Sequence, residues 1–240
     1  MDDSARPRAA TGHTATAVLL ISGAVIVNAA FAGIGAVFDH PDVLEQPAGE
    51  VLASFRDSQQ AIVAEFRALA AGAALLAPIA VRLRRLSDSR AMRTAVPVGV
   101  LAALVQVVGL SRWPLLVPAL ARRAADPAQR IAAEETFTAL GRVLGTAVGE
   151  TGGYVLTASW TAPVVVALRS TIHPNALVRR LFLGVGSLPT VLIVLGVLVP
   201  LGVPGTGTFV GYLVWSAWLI GLAVVLLMRG RVAPGPGRAR

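Results

Sequence analysis

The chain has 240 residues, of which 55% are hydrophobic and 14% charged, well below the ~25% charge usual in soluble domains. With no cysteine, disulfides, thiolate catalysis and cysteine-ligated metals are excluded. All 21 basic residues are arginine, which excludes lysine Schiff-base chemistry and a phosphate loop built on lysine.

Mean hydropathy is +0.70, and the apolar residues are grouped into long runs rather than alternating with polar ones. That pattern marks a polytopic membrane protein. The net charge of +8 does not point to nucleic acid, because the arginines sit at the ends of apolar runs and no nucleic-acid motif accompanies them.

Six runs reach the ~20 residues that span a ~30 Å hydrocarbon core. They are predicted near 15–38, 60–81, 94–111, 143–168, 181–203 and 208–228. The first follows Arg6 and Arg8 as a signal peptide would, but it is too long for one and is interrupted by Asn28, so it reads as a retained helix. Asn28 is suited to joining two helices by a hydrogen bond worth roughly 1 kcal/mol. Gly33-Ile34-Gly35 in the same run reads as a packing surface.

The segment at about 39–59 reads DHPDVLEQPAGEVLASFRDSQ. Pro47 suits a helix start, since its missing N–H falls among the unpaired donors of a first turn. Val51, Leu52 and Phe55 then form a short apolar face. The second run carries Glu65 and Arg67, two apart and so on different helix faces. One is expected to meet the fourth span and the other to extend outwards. The third run is short and holds Pro97 and Gln106. The segment from 112 to 142 opens with RWPLLVP, a composition suited to the membrane interface. Asp126-Pro127 then reads as an N-cap with proline at the first helical position, leading through Ile131, Phe137 and Leu140.

The fourth run is the most informative. It reads GRVLGTAVGETGGYVLTASWT from Gly141 to Thr161. Gly141, Gly145, Gly149 and Gly153 recur every four residues and share one helix face, which lets another helix approach closely in lipid. Beside them runs a polar row of Thr146, Glu150, Tyr154, Thr157 and Thr161. Glu150 fits two roles. It is a proton donor or carrier if desolvation raises its affinity for a proton, or a partner that holds helices in register. Trp215 and Trp218 in the sixth run lie deeper than an aromatic belt requires and read as core. The tail 230–240 is Pro/Gly-rich and is expected to be disordered.

Histidine offers little. His13, His40 and His173 are read as loop residues without metal-ligand spacing, and Asp39-His40-Pro41-Asp42 as a plain turn in preference to a weak cation site. Walker, dinucleotide and serine-nucleophile motifs are absent. No cofactor and no metal site are expected, and nucleic acid is not among the expected partners.

Four stretches carry a resemblance: FDHPDVLEQPAGEVLASF, LVQVVGLSRWPLLVPALAR, GRVLGTAVGETGGYVLTASWT and VGYLVWSAWLIGLAVVLL. Together they resemble a bacterial six-span family catalogued only as a domain of unknown function. The resemblance implies six transmembrane helices in a bacterial plasma membrane and a polar residue ahead of a Gly-Tyr-like sequence in the fourth helix, here Glu150 to Tyr154. It implies no activity.

The expected fold is all-α: a cytoplasmic tail over 1–14, a six-helix transmembrane bundle over 15–229 with two short outer helices, and a cytoplasmic tail over 230–240. Glu65, Arg67, Gln106, Arg112, Glu150 and Tyr154 form the candidate polar pocket, opening outwards. The leading function is non-catalytic: binding a small molecule or lipid, or regulating a membrane-protein partner, with membrane lipids around it. The alternatives are an enzyme acting on a lipid or isoprenoid, with Glu150 or Glu65 as acid, and a small proton-coupled transporter.

Arginine placement sets the expected orientation. With the N-terminus inside, 14 arginines fall in cytoplasmic segments and 5 in outer ones, as the positive-inside rule requires. Reporter fusions at Arg231 and at Asp42 are therefore expected on opposite sides, with Arg231 cytoplasmic. A fusion at Arg231 reporting from outside would reverse the topology.

Overall fold

The computed structural model describes residues 5–169 and 176–231. His173 and the tail beyond Arg231 lie outside the described residues. Every regular element among the described residues is helical. The helices are α1 (Ala5–Phe38), α2 (Ala48–Asp57), α3 (Gln59–Ala74), α4 (Leu76–Leu83), α5 (Arg90–Leu115), α6 (Val117–Ala124), α7 (Arg130–Leu140), α8 (Gly153–Leu168), α9 (Ala176–Val194) and α10 (Thr206–Arg231). A π-helical segment, Gly141–Gly152, joins α7 to α8. Tight 3-10 turns occupy Asp42–Glu45, Arg84–Leu86 and Leu195–Leu201.

Six continuous helical stretches are long and apolar enough to cross a membrane: Gly12–Phe38, Gln59–Leu86, Arg90–Ala124, Arg130–Leu168, Ala176–Leu201 and Thr206–Arg229. Each contains or overlaps one predicted run. The surface is correspondingly apolar. Leu104 and Leu213 are 57% and 44% exposed, which a soluble fold would bury but a lipid-facing surface requires.

The spans close into a ring. α1 packs on α10 and on α3, α3 on α5, α5 on α8 and the π-segment, α8 on α9, and α9 on α10. α2, α6 and α7 pack on one another at one end, called here the short-helix end. The opposite end carries the turn after α4, with Arg84 and Arg85, and Arg229 of α10.

Several boundaries differ from the sequence reading, for identifiable reasons. α1 starts at Ala5, so His13 lies in a helix and not in a loop. α5 continues through Pro114 to Leu115 and is followed directly by α6. The expected interfacial segment after Arg112 is therefore helical, and Trp113 is buried rather than placed in an aromatic belt. It packs face to face with Phe66, ring centroids 4.8 Å apart, and edge-on to Phe38 at 5.2 Å. Asp126 does not cap a helix. Its carboxylate accepts from the Ala128 N–H at 2.9 Å and from Gln129 Nε2 at 2.7 Å, forming a turn that delays the start of α7 to Arg130. Pro47 stands one position ahead of α2, and Val51, Leu52 and Phe55 are buried as their spacing indicates.

The buried apolar residues form two clusters. One gathers Phe38, Val51, Phe55, Ile62, Phe66, Trp113 and Leu120 at the short-helix end. The other gathers Leu20, Ile79, Leu83, Met92, Trp160, Val164, Leu168, Trp218 and Leu222 towards the arginine end. Along α1 and α5 the residues between the clusters include Asn28, Gln106 and Gly109.

The glycine face of the fourth span lies on α5. A Cβ on Gly109 would fall 2.5 Å from the Gly149 Cα, so the two backbones touch. One turn to either side, Gly145 opposes the Arg112 guanidinium and Gly153 opposes the Gln106 side chain. Gly141 has open space beside it, so the packed face begins at Gly145. Gly109→Ala is expected to destabilise the protein by about 1–3 kcal/mol, because a methyl group there forces two backbones apart. Thermal melting in detergent measures it; an unchanged melt would show that the two helices are not in contact.

Candidate functional site

The polar row of the fourth span points into the bundle. Thr157 and Thr161 are fully buried, and a buried hydroxyl needs partners. Gln106 Nε2 donates to Thr157 Oγ1 at 3.2 Å. Tyr212 lies next to the Thr157 side chain. Thr161 Oγ1 donates to the Thr157 carbonyl at 2.7 Å and accepts from Trp215 Nε1 at 2.9 Å. Asn28 Nδ2 donates to Ser216 Oγ at 2.9 Å and to the Ala24 carbonyl at 2.7 Å, tying α1 to α10 as its mid-span position indicated. Trp215 and Trp218 are core residues, and Trp215 is also a member of this network.

Towards the short-helix end the layer becomes charged. Tyr154 faces Tyr212 with ring centroids 6.0 Å apart, and its ring fills the space beside Gly196, next to Thr208. Glu150 is half-buried one turn away and interacts electrostatically with both Arg112 and Tyr154. Arg112 is half-buried, and a Cβ on Gly145 would lie 2.9 Å from its guanidinium carbon. Its Nη1 donates to the Gly109 carbonyl at 3.0 Å, and the guanidinium lies 5.4 Å from the centre of the Trp113 ring. Among the described residues the one ion pair within 4 Å is Arg84–Asp88. Arg112 and Glu150 therefore share a field without closing a direct bridge, and most of the five Arg112 donors carry no partner among the described residues.

The π-helix explains part of this geometry. Glycine favours no single helical winding, and five glycines lie between Gly141 and Gly153. Bonds of the i→i+5 type widen the turn at the point where Glu150 is presented. Such segments are rare and occur frequently at functional sites.

Of the six residues expected to form the pocket, Gln106 and Arg112 lie where α5 faces the fourth span, and Glu150 shares a field with Arg112, whereas Tyr154 turns towards Tyr212 and Gly196. Glu65 does not face the fourth span. α3 sits between α1 and α5 in the ring, and Glu65 is half-buried against Gly33 of α1, where a Cβ would lie 2.6 Å from its carboxyl carbon. Arg67 is exposed, on a different face from Glu65 as their spacing requires.

His40 does more than occupy a plain turn. The turn that holds it folds back, and its ring meets Phe31 and Phe66 edge-on, centroids 5.8 Å and 5.7 Å away. His40 Nδ1 is buried without a hydrogen-bond partner. Burial and the Arg112 charge push His40 down to about 4, against a smaller opposing pull from Asp42. The nearest signal in the sequence was the coincidence of a histidine with a turn directly after a span.

These features define a multi-pass helical membrane protein with a buried polar layer between its spans. Residues 15–230 match the family DUF4386, a domain of unknown function, and the chain belongs to it. No curated protein and no solved structure matches the chain.

A half-buried, neutral His40 makes stability depend on acidity. Its affinity for protons is lower folded than unfolded, so between pH 6.5 and about 4 the unfolded chain binds more protons and stability falls as pH falls. The loss is expected to reach no more than about 3 kcal/mol. His40→Phe is expected to flatten the melting temperature over that interval. A variant with the same acid dependence as the parent would show that His40 is not held in its neutral form.

Proposed function

We propose that this is a plasma-membrane protein of a bacterium that binds a small polar molecule or a lipid headgroup at the Arg112 layer and does no chemistry on it. Both termini lie in the cytoplasm. The short helices α2 and α7 lie on the outer side, and the layer opens towards them. The arginine distribution supports this orientation.

The observation that carries the reading is the state of Arg112. A guanidinium taken out of water needs partners, and this one has a carbonyl and an aromatic face but no bridging carboxylate. An anionic or acceptor-bearing group is the natural complement, since charge-assisted bonds to arginine are short and directional. Glu150 and Tyr154 then set polarity: a carboxylate repels a second negative charge, while the phenol donates or accepts. His40, neutral and with a free Nδ1, adds a hydrogen-bonding group above the layer.

The alternative is an enzyme acting on a lipid or isoprenoid, and one observation favours it: the Glu150 carbonyl accepts from the Gly153 N–H, but its carboxyl closes no ion pair among the described residues, which leaves it available to a substrate. Glu65 is separated against Gly33, so a second acid from α3 does not join it.

Mass spectrometry of molecules that co-purify with the protein separates the two. The parent is expected to retain a ligand that Arg112→Gln loses by ~10-fold or more, the scale of one hydrogen bond to a charged group. Glu150→Gln is expected to retain the same molecule. Retention by Arg112→Gln would remove the basis of the proposal, and a chemically different molecule on Glu150→Gln would favour the enzyme.

A further inference from the structure

At the end of the bundle away from Arg112, a cavity of about 140 Å³ opens between α1, the turn after α4, α8 and α10. His13, Arg85 and Arg229 form its polar side, and Leu86, Leu168, Leu222, Val225 and Leu226 form its apolar side. The side chains of Arg85, Arg229 and His13 make no ion pair among the described residues. Asp88, three residues after Arg85, is paired with Arg84.

The geometry points to a binding site for the phosphate of an anionic phospholipid. Two arginines with no acid among the lining residues attract one compact anion, and guanidinium groups suit phosphate oxygens through paired N–H donors. The cavity is too small for a whole phospholipid but has room for a phosphate and a little water, at ~30 Å³ per water. The remainder of the lipid has an apolar path. Val18 of α1 and Met228 of α10 are 55% and 62% exposed on the same helices that supply His13 and Arg229. A soluble anion would gain nothing from that surface, whereas acyl chains would. Basic pockets between spans at a membrane surface hold anionic headgroups on this basis. The inference depends on the chain lying in a bilayer and not on its orientation or on the Arg112 layer.

The test uses the purified full-length protein in detergent, with phosphatidylglycerol, phosphatidylcholine or inorganic phosphate added, and thermal stability and native mass spectrometry as readouts. Phosphatidylglycerol is expected to be retained in preference to phosphatidylcholine by ~10-fold or more, and to raise the melting temperature. Inorganic phosphate is expected to do neither. The double variant R85Q/R229Q is expected to melt like the parent in phosphatidylcholine and to lose most of the preference. R179Q/R180Q removes two exposed charges of α9 outside the cavity lining, and is expected to keep it. Equal retention of the two lipids, an equal response to inorganic phosphate, or an equal loss in R179Q/R180Q would each overturn the site. So would full retention of the preference by R85Q/R229Q.

Discussion

The contact between Gly109 and Gly149 fixes the middle of this protein. Helices in lipid gain no hydrophobic free energy from meeting one another; packing and interhelical hydrogen bonds draw them together, and both require close approach. With no side chain on either partner, α5 and the π-segment meet backbone to backbone. That approach brings Gln106 to Thr157 on one side of the contact and Arg112 to Gly145 on the other. A larger residue at either glycine would separate both polar pairs together, so the packing and the site share one constraint.

Polar groups inside a membrane protein are costly unless they find partners, and the distribution here follows that rule. The neutral part of the layer, from Asn28 and Ser216 to Thr157, Thr161 and Trp215, is joined by hydrogen bonds. The charged part, Arg112 with Glu150, lies nearer the short-helix end and is half-buried. Trp113 closes it on one side, held by Phe38, Phe55 and Phe66. The aromatic cluster thus does two things. It anchors the short helix α2 through Phe55, and it lowers the polarity around the Arg112 guanidinium, which strengthens any charge interaction made there.

The sequence showed much of this because bilayer physics writes on composition. Six spans follow from run length alone, and the glycine face followed from a four-residue period that α5 then occupied. Glu150, Tyr154, Thr157 and Thr161 were legible as one row because an apolar helix makes each polar residue conspicuous. What stayed hidden depended on which helix neighbours which. Nothing in the second run says that α3 lies between α1 and α5, so Glu65 was expected in the pocket with Glu150, whereas it rests on Gly33. Trp113 looked interfacial because RWP stands after an apolar run, and only the arrival of Phe38, Phe55 and Phe66 from other elements buries it. His40 looked like a plain turn residue for the same reason: its ring is half-buried only because the turn folds onto Phe31 and Phe66. The π-segment has no period of its own in the sequence, because its glycines fit an α-helical face equally well.

The central physical claim is that Arg112 and Glu150 occupy one low-polarity layer and feel each other's charge across it. A double-mutant cycle on thermal stability, with R112Q, E150Q and the combination, measures that coupling directly. Groups sharing a site depart from additivity by about 0.5–3 kcal/mol, whereas independent ones add to within roughly 0.5 kcal/mol. A coupling of at least about 1 kcal/mol, with the double variant less destabilised than the sum of the single ones, is the predicted result. Additive effects would place the two residues in separate environments and contradict the shared layer.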